Sequence, residues 1–245
     1  MHLVLASASP RRAELLRAAG FTFETCAVDI DEAARAGETP ASYVRRLAAE
    51  KSARGWVAIH DPAKAEGSAS AVGPGKAVGP AKAGHYVQPA KGAGPAKAGH
   101  YVRKDQEEIV VLGADTAVVV DGEIVAKPRD ASEAAAMLSR LSGRRHEVTT
   151  GVSLRMRAYE LGRVETTAVY FAALSAAEIA WYVASGEGLD KAGAYGIQGL
   201  ASRFIPRIEG SYSNVVGLPL RCVYELLNEL GVGYPLPTIR SRKSL

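Results

Sequence analysis

The chain has 245 residues, of which 47% are hydrophobic and 23% are charged, which is ordinary for a globular protein and sufficient for a sizeable core. Its two cysteines, Cys26 and Cys222, lie far apart without CxxC spacing, which argues against a zinc site or a disulfide framework and favours a reducing compartment. With neither a signal-peptide pattern nor about 18 consecutive apolar residues, we expect a cytoplasmic protein without a membrane partner.

The net positive charge of the chain comes from one segment. The net charge is +4, but residues 64–104 contain seven Lys or Arg and one acid, so the remainder is at −2. Within this Gly-, Ala- and Pro-rich segment, residues 79–87 recur unchanged at 94–102 without apolar periodicity. We predict a flexible insertion in a single domain spanning 1–231, followed by a basic tail at 232–245. The alternative is a basic, tyrosine-containing arm that binds nucleic acid.

The first predicted elements are a strand, His2–Ala6, and a helix. Ser9 followed by Pro10 predicts the helix N-terminus, with the serine as cap and proline in the first turn. Arg11 and Arg12 come next, where a positive charge opposes the helix dipole by about 0.3–1 kcal/mol. We therefore expect an anion to compensate the two arginines.

This helix start contains the groups that bind a phosphate chain. Free amides of the first turn and the hydroxyls of Ser7 and Ser9 can donate to phosphate oxygens. The guanidiniums of Arg11 and Arg12 can add charge-assisted, bidentate bonds. The sequence predicts a polyphosphate site here; the alternative is two solvated arginines on an exposed turn.

A second helix is predicted to begin at Thr39-Pro40, after a strand at Phe21–Val28 and an acidic turn. One helical face carries Val44, Leu47, Ala48 and Lys51. If this stripe ends at a cleft, the Lys51 ammonium would meet the same phosphates; otherwise the side chain extends to water. Glu32 and Glu50 are either surface acids or ligands for a divalent metal held against a polyphosphate.

The stretch Val110–Thr116 is the centre of the sequence. Its apolar run predicts a strand buried on both faces that delivers Asp115 and Thr116 at its end. Ligands of open α/β sheets collect beyond the carboxyl ends of such strands. The alternative is a tight turn at Gly113–Asp115 in which the carboxylate only satisfies turn amides.

A hairpin and a capped helix are predicted next. Asp121-Gly122 is a turn signal, and the following segment, Ile124–Pro128, contains Lys127. Asp130 is expected to cap a helix. Its buried face would carry Ala134, Leu138 and Leu141.

Further strands and a helix complete the predicted scaffold. One strand is expected to start within 144–151, and others to follow at Val152–Met156 and Val164–Phe171. Ser175–Glu178 forms a capping-box pattern that opens a helix. We expect His146 to be a polar residue at a strand end, because no second histidine occurs at metal-ligand spacing.

Two polar loops are the last informative stretches. Leu189–Gly199 combines three glycines with Lys191, Tyr195 and Gln198, a composition that allows a backbone to approach a ligand closely. The glutamine amide offers a donor and an acceptor, which suits the edge of a nucleobase. A second loop, a helix and a frayed basic tail are expected at 208–219, 220–230 and 231–245.

Together these residues closely resemble the Maf family of nucleoside triphosphate pyrophosphatases. The resemblance covers nearly the whole chain except 64–104 and the tail. It rests on motifs in the family's order: Ser7–Arg12, Glu50–Lys51, Gly113–Thr116, Lys127–Pro128, Ser142–His146, Asp190–Gly199 and Gly210–Pro219.

The resemblance implies both a fold and an activity. The implied fold is α/β, with an elongated mixed β-sheet, flanking helices and a cleft between two lobes, similar to the inosine triphosphatases. The implied activity is hydrolysis of a nucleoside triphosphate to the monophosphate and pyrophosphate, dependent on Mg²⁺ or Mn²⁺. The loops Lys191–Gly199 and Gly210–Tyr212 resemble the branch that acts on dTTP and UTP in house-cleaning of nucleotide pools, rather than the branch that acts on 7-methyl-GTP.

The resemblance also assigns roles to residues. It makes Asp115 the proton acceptor and places Glu32 beside it at the metal. Arg11, Thr116 and Gln198 fall on specificity positions. Arg12, Lys51 and Lys127 match phosphate-binding positions. Ser7, Ser9 and Lys191 are expected to bind substrate as well, although no role for them was taken from the resemblance. The departures are Ser52, where the family often has alanine, and the long insertion, which puts loop dynamics in question more than chemistry.

Three other functions are compatible with parts of the sequence. An aspartyl-phosphate phosphatase would need a second acid two residues after Asp115, and that position is Ala117. A catalytically idle nucleotide-binding regulator, related to septum formation, would keep the cationic cradle without needing Asp115. A nucleic-acid-binding module would depend on 64–104. We expect a nucleotide substrate, no nucleic-acid partner, and the homodimer often found in the family.

Overall fold

The computed structural model describes residues 1–61 and 108–232. The strands are β1 His2–Ala6, β2 Glu24–Thr25, β3 Ile109–Val120, β4 Glu123–Val125, β5 Arg145–Met156, β6 Tyr159–Tyr170 and β7 Arg207–Glu209. The helices are α1 Pro10–Ala18, α2 Pro40–His60, α3 Ala131–Leu141, α4 Ala176–Ala184, α5 Tyr212–Val216 and α6 Leu220–Glu229. The predicted insertion at 64–104 and the tail from residue 233 onward lie outside the described residues.

The strands form one mixed sheet, which confirms the expected α/β class. Its order is β2-β1-β3-β5-β6-β7, and β4 pairs with the far half of β3. β1 runs parallel to β2 and to the first half of β3. β3, β5, β6 and β7 pair in antiparallel fashion. No helix within 1–61 or 108–232 is both long and apolar enough to cross a bilayer.

Asp115 lies in the middle of a strand, not at its end. β3 continues unbroken to Val120, so both the predicted strand end and the alternative tight turn are wrong. The parallel partner β1 stops where Ala6 pairs with Gly113. Asp115 therefore lies just beyond the carboxyl end of β1, which is where ligands collect in such sheets.

Two other strand predictions need correction. The strand expected at Phe21–Val28 is reduced to the two residues of β2. The strands predicted at 144–151 and Val152–Met156 are a single strand, β5, paired along its whole length with β6. Because every backbone amide in such a ladder needs a partner, β6 begins at Tyr159, earlier than its apolar residues alone indicate.

Two hydrophobic cores lie along the sheet. The first packs β1, α1 and α6 against the early part of β3, with Leu5, Leu16, Leu112, Leu154 and Leu226 at its centre. The second packs α3 and α4 against the late part of β3, with Val118, Leu138, Val169, Tyr182 and Phe204. Both β3 and β5 contribute to both cores, so the two lobes share a continuous sheet.

Helix α2 packs directly on the backbone of the sheet. A Cβ atom built on Gly113 would lie 2.2 Å from the Ala48 carbonyl oxygen, and one built on Gly151 would lie 2.2 Å from the Val44 carbonyl oxygen. No side chain fits at either contact. This close approach brings Lys51, on the same helical face, to Asp115.

Candidate active site

A cleft of about 980 Å³ opens over the sheet between the two lobes, at the upper end of the volumes usual for small-molecule sites. Its walls are the N-terminus of α1, the middle of β3, the segment after β4 and the loop at 187–199. All the predicted site residues line it: Ser7, Ser9, Arg11, Arg12, Glu32, Lys51, Asp115, Thr116, Lys127, Lys191 and Gln198. The fold thus brings together groups from six separate stretches of sequence.

Lys51 is bracketed by two carboxylates. Its Nζ lies 2.6 Å from Glu32 Oε1 and 2.6 Å from Asp115 Oδ1, so the two acids are no further apart than twice that distance. Lys51 and Asp115 are each 8% exposed. The alternative in which the lysine extends to water is therefore wrong.

The charge state of Glu32 follows from these neighbours. Partial burial raises the pKa of its carboxyl group, but the hydrogen bond from Lys51 and the charges of Lys51, Lys127 and Arg12 outweigh burial and lower the pKa overall. Glu32 is therefore an anion at neutral pH. It faces the cleft from the opposite side to Asp115, with the ammonium between them.

Arg12 is buried and held by three protein acceptors. Its Nε donates to the Gly217 carbonyl at 2.8 Å, Nη1 to Ser7 Oγ at 3.1 Å and Nη2 to Thr116 Oγ1 at 3.1 Å. Burial lowers its pKa, while the charge of Asp115 opposes that shift. A guanidinium has five N–H donors, so two remain for a ligand, and the alternative of a solvated arginine is wrong for this residue.

Arg11 crosses the cleft to the opposite loop. Its Nη1 lies 3.3 Å from Asp190 Oδ2, and Lys191 Nζ lies 2.5 Å from Asp190 Oδ1. One carboxylate therefore joins two cations that the sequence assigned to substrate binding. The resemblance gave Asp190 no role. Its contact with Arg11 becomes visible only in the fold, which brings this loop to the N-terminus of α1.

The two serines take different positions at the helix start. Ser7 Oγ accepts hydrogen bonds from the Ser9 amide at 3.2 Å and from Arg12. Ser9 is the cap residue, as predicted, but its side chain makes no capping bond. The Ser9 hydroxyl and the first backbone amides of α1 therefore do not bond to one another, and both border the cleft.

The three remaining predicted residues differ in how firmly they are held. Thr116 Oγ1 accepts from Arg12 and lies 3.0 Å from Thr150 Oγ1 and 3.3 Å from the Gly217 oxygen. Lys127 and Gln198 are exposed, and neither side chain bonds to any residue of 1–61 or 108–232. These two are free to turn toward a ligand.

Sequence reasoning missed a buried pair beneath the loop. His146, expected to be a polar strand-end residue, is 2% exposed, and its Nε2 lies 2.7 Å from the Tyr195 hydroxyl. Burial, aided by the charge of Arg145, lowers the pKa of His146 to about 4. The available signal was the strand alternation that puts His146 on the same face as Val148.

Glu187 was also missed. Its Oε2 accepts from the Leu200 amide at 2.8 Å, and Oε1 accepts from the Tyr182 hydroxyl at 3.0 Å. A Cβ on Gly199 would collide with this carboxylate. The glycine at that position therefore leaves room for Glu187, rather than for a ligand as the sequence suggested.

The cleft is nearly balanced in charge. Five cationic side chains and four acidic ones line it, although a triphosphate brings several negative charges. In the described part of the chain no three His, Cys, Asp or Glu side chains cluster as a metal site. Two carboxylates that already bracket a cation nevertheless fit a hard divalent ion that takes its remaining ligands from phosphate and water.

Comparison with known proteins gives one consistent family. The family model described as Maf-like protein matches residues 2–230. A "dTTP/UTP pyrophosphatase" of Anaeromyxobacter sp. (strain Fw109-5) is 44% identical over 240 residues, covering 96% of this chain and 91% of the relative. Proteins with the same name from Symbiobacterium thermophilum and Hahella chejuensis are 42% and 45% identical, covering 96% and 94% of this chain and 96% and 92% of the relatives. With a matching model over nearly its whole length and relatives at this identity, the chain belongs to the Maf family.

Proposed function

We propose that the chain is a nucleoside triphosphate pyrophosphatase that hydrolyses dTTP and UTP to the monophosphate and pyrophosphate and so clears nucleotide pools. The names of the relatives support the substrate class. The observation that carries the proposal is the pair Glu32 and Asp115 on either side of Lys51, in a cleft where cations converge from distant segments. That arrangement combines an acid able to accept a proton with groups that bind phosphate.

The chain's own residues bind and orient the triphosphate. The amides of α1 and the Ser9 hydroxyl donate to phosphate oxygens, and Arg11, Lys51 and Lys127 spread the negative charge. Arg12 adds its two remaining donors from a position that three protein bonds have already fixed. Because phosphoryl transfer depends mainly on positioning and charge neutralisation, a fixed cationic cradle supplies most of what the reaction needs.

Asp115 is the proposed proton acceptor. It lies beyond the end of β1 beside the phosphate cradle, where its carboxylate can accept a proton from a water molecule that attacks the α-phosphorus. Lys51 holds the Asp115 side chain in place until substrate enters. Pyrophosphate then leaves from the cationic end of the cleft.

A divalent cation, Mg²⁺ or Mn²⁺, is part of the proposal. Glu32 and Asp115 would hold it together with phosphate oxygens, and it would add the positive charge that the nearly balanced cleft lacks. Removing free divalent ions with a chelator should abolish pyrophosphate release. Activity that persists in excess chelator would contradict this part of the proposal.

The base is proposed to lie against the loop at 187–199. The Gln198 amide, exposed and unbonded within the described residues, can donate to and accept from a pyrimidine edge. Thr116 and Arg11 are the other proposed specificity residues. Thr116 lies beside Arg12, so its contribution reaches the substrate partly through that guanidinium.

Pyrophosphate release from a panel of nucleoside triphosphates tests the proposal. We expect dTTP and UTP to be preferred, and Asp115→Asn to lower kcat by at least about 100-fold, the lower end of a general base's contribution, with nucleotide binding largely kept. The matched control is Asp121→Asn, the same change at an exposed turn that ends the same strand, outside the cleft. Full turnover by Asp115→Asn would reject the assignment.

The panel also separates the alternative function. An idle regulator would bind dTTP without releasing pyrophosphate, and Asp115→Asn would then change nothing measurable. The expected homodimer is tested by light scattering of the purified chain. A monomer mass at assay concentration would contradict it without affecting the catalytic proposal.

A further inference from the structure

The loop that carries Lys191 and Gln198 follows a strained path. Gly193 and Ala194 both adopt the left-handed conformation, with φ of 70° and 59°. For alanine this conformation is unfavourable, and it persists only when the surroundings impose it. Ala194 is completely buried, and its carbonyl oxygen would lie 2.1 Å from a Cβ on Gly188. The loop is therefore held in place by its contacts.

A buried hydrogen bond anchors this loop at the residue after the strained alanine. Tyr195 donates to or accepts from His146 Nε2 at 2.7 Å, and both rings contact Phe171, with centroid distances of 5.0 and 5.5 Å. His146 Nδ1 has no partner among the described residues. The tyrosine hydroxyl is therefore the only described hydrogen-bond partner of this imidazole.

The His146–Tyr195 hydrogen bond holds the loop near the point where it passes from the second hydrophobic core to the first. Tyr195 belongs to the second core, whereas Ile197, two residues later, packs against the first. The next residue is Gln198, whose amide has no described partner and whose direction is set by the backbone before it. A shift of Tyr195 would consequently be transmitted to Gln198 through two residues of backbone.

We propose that His146 and Tyr195 are positioning residues for base selection, because their buried hydrogen bond fixes the path by which the loop presents Gln198 to the base. The inference rests on the proposed function, in which Gln198 reads the pyrimidine edge. Neither His146 nor the Tyr195 hydroxyl needs to touch substrate. Their effect belongs to selectivity and KM, while proton transfer at Asp115 is left intact.

Tyr195→Phe tests this by removing only the hydroxyl. We expect the ratio of kcat/KM for dTTP to that for dCTP to fall about three- to tenfold, the range of one hydrogen bond, mainly through a higher KM for dTTP. We expect kcat on dTTP to change less than about twofold. Tyr170→Phe is the matched control, since its hydroxyl bonds to Glu209 at 2.9 Å on an exposed face outside the cleft.

Changes at His146 separate positioning from simple core packing. His146→Gln retains an amide able to bond to the Tyr195 hydroxyl and should restore most of the selectivity, whereas His146→Phe should resemble Tyr195→Phe. In the double variant His146→Phe/Tyr195→Phe neither polar group is left unpaired, so the protein should stay folded. A folded double variant with wild-type selectivity would overturn the proposal.

A double-mutant cycle with Gln198→Ala shows whether Tyr195 acts through Gln198. If it does, Tyr195→Phe should have no further effect on the dTTP/dCTP ratio once the glutamine amide is gone. A merely structural role would give the same effect in both backgrounds, and that result would contradict the inference.

The proposed function can fail separately from this inference. The same selectivity ratio can be measured as dTTP and dCTP affinities by calorimetry in the Asp115→Asn background, where turnover is not needed. If wild type releases no pyrophosphate but Tyr195→Phe still lowers the affinity ratio, the enzyme assignment fails and the positioning role stands. Equal dTTP and dCTP affinities in both proteins, or no binding, would reject the positioning role.

Discussion

Lys51 determines how the two acids behave before substrate enters. Glu32 and Asp115 would repel each other across the cleft if nothing lay between them, and the ammonium at 2.6 Å from each removes that repulsion. Breaking such a contact leaves a carboxylate without a counter-charge in a nearly buried position. A lysine at this position therefore stabilises the two acids, and the same ammonium is the one proposed to bind phosphate.

His146 gives a pH dependence to stability. Its pKa is lowered from 6.5 to about 4 in the folded protein, so the unfolded chain binds the proton more readily. The contribution of the neutral His146 to the free energy of unfolding is therefore complete above pH 6.5 and is lost as the pH falls toward 4. We expect the free energy of unfolding to lose about 1–3 kcal/mol more in wild type than in His146→Phe across this window. Urea unfolding at a series of pH values measures it, and parallel curves would contradict the prediction.

Single residues were predictable where the sequence carries a local cause. Arginines in the first turn of a helix indicated an anion, and that reasoning found the α1 side of the cleft. Asp190 and Glu187 were not predictable in this way, because the partners that give them a role, Arg11 for Asp190 and the Leu200 amide for Glu187, are brought to them only by the fold. The burial of His146 was predictable from the strand alternation that it shares with Val148, but its hydrogen bond to the distant Tyr195 was not.

At the scale of elements, the contact of α2 with the sheet positions the proposed catalytic groups. Gly113 and Gly151 lie under the helix backbone, and Lys51 projects from the same face toward Asp115. The helical stripe predicted this face correctly. How closely the helix approaches was not predictable, since isolated glycines in strands have several possible causes.

Gly113→Ala tests the importance of this approach. The added Cβ would meet the Ala48 carbonyl oxygen at 2.2 Å and the Ser52 amide nitrogen at 2.6 Å, so α2 must move outward. We expect a loss of about 1–3 kcal/mol in the free energy of unfolding, with lower kcat because Lys51 retreats from Asp115. Thermal unfolding and a dTTP assay measure both effects.

Gly162→Ala is the control for that substitution. It adds the same methyl group on β6, where the neighbour is the end of the flexible Arg45 side chain. Its cost should be below about 1 kcal/mol, as for most surface changes. Equal costs at the two glycines would mean that the α2 contact is not the cause.

Element boundaries show where sequence patterns stop being informative. The capping box at Ser175 and the cap at Asp130 are both present as predicted, because capping is a local interaction. β5 was divided into two strands and the length of β6 was underestimated, since the first half of β6 is ordered by cross-strand pairing with β5 rather than by burial. Long-range pairing of this kind cannot be derived from a local pattern.

At the scale of the whole molecule, the described ends on either side of the predicted insertion lie close together. Ile59, near the end of α2, and Ile109, at the start of β3, pack against the same small cluster of Val4, Ala6 and Val111. A short connection can therefore join them. Neither Ile59 nor Ile109 is among the described residues that line the cleft.

Deleting residues 64–104 tests whether that segment contributes to function. With a short Gly/Ser linker in its place, we expect kcat/KM on dTTP to stay within about threefold and the free energy of unfolding within about 1 kcal/mol, because loop-closure entropy depends only weakly on length. A folded deletion variant without activity would show that the segment takes part in catalysis. The chain without the deletion, assayed in parallel, is the control.

The shared strands β3 and β5 impose one more constraint. Because each passes uninterrupted from one core into the other, the two walls of the cleft cannot swing apart about a hinge in its floor. The distance between the proposed phosphate-binding residues of α1 and the proposed base-reading loop is therefore fixed. A nucleotide one phosphate shorter should reach only one of these two ends of the cleft.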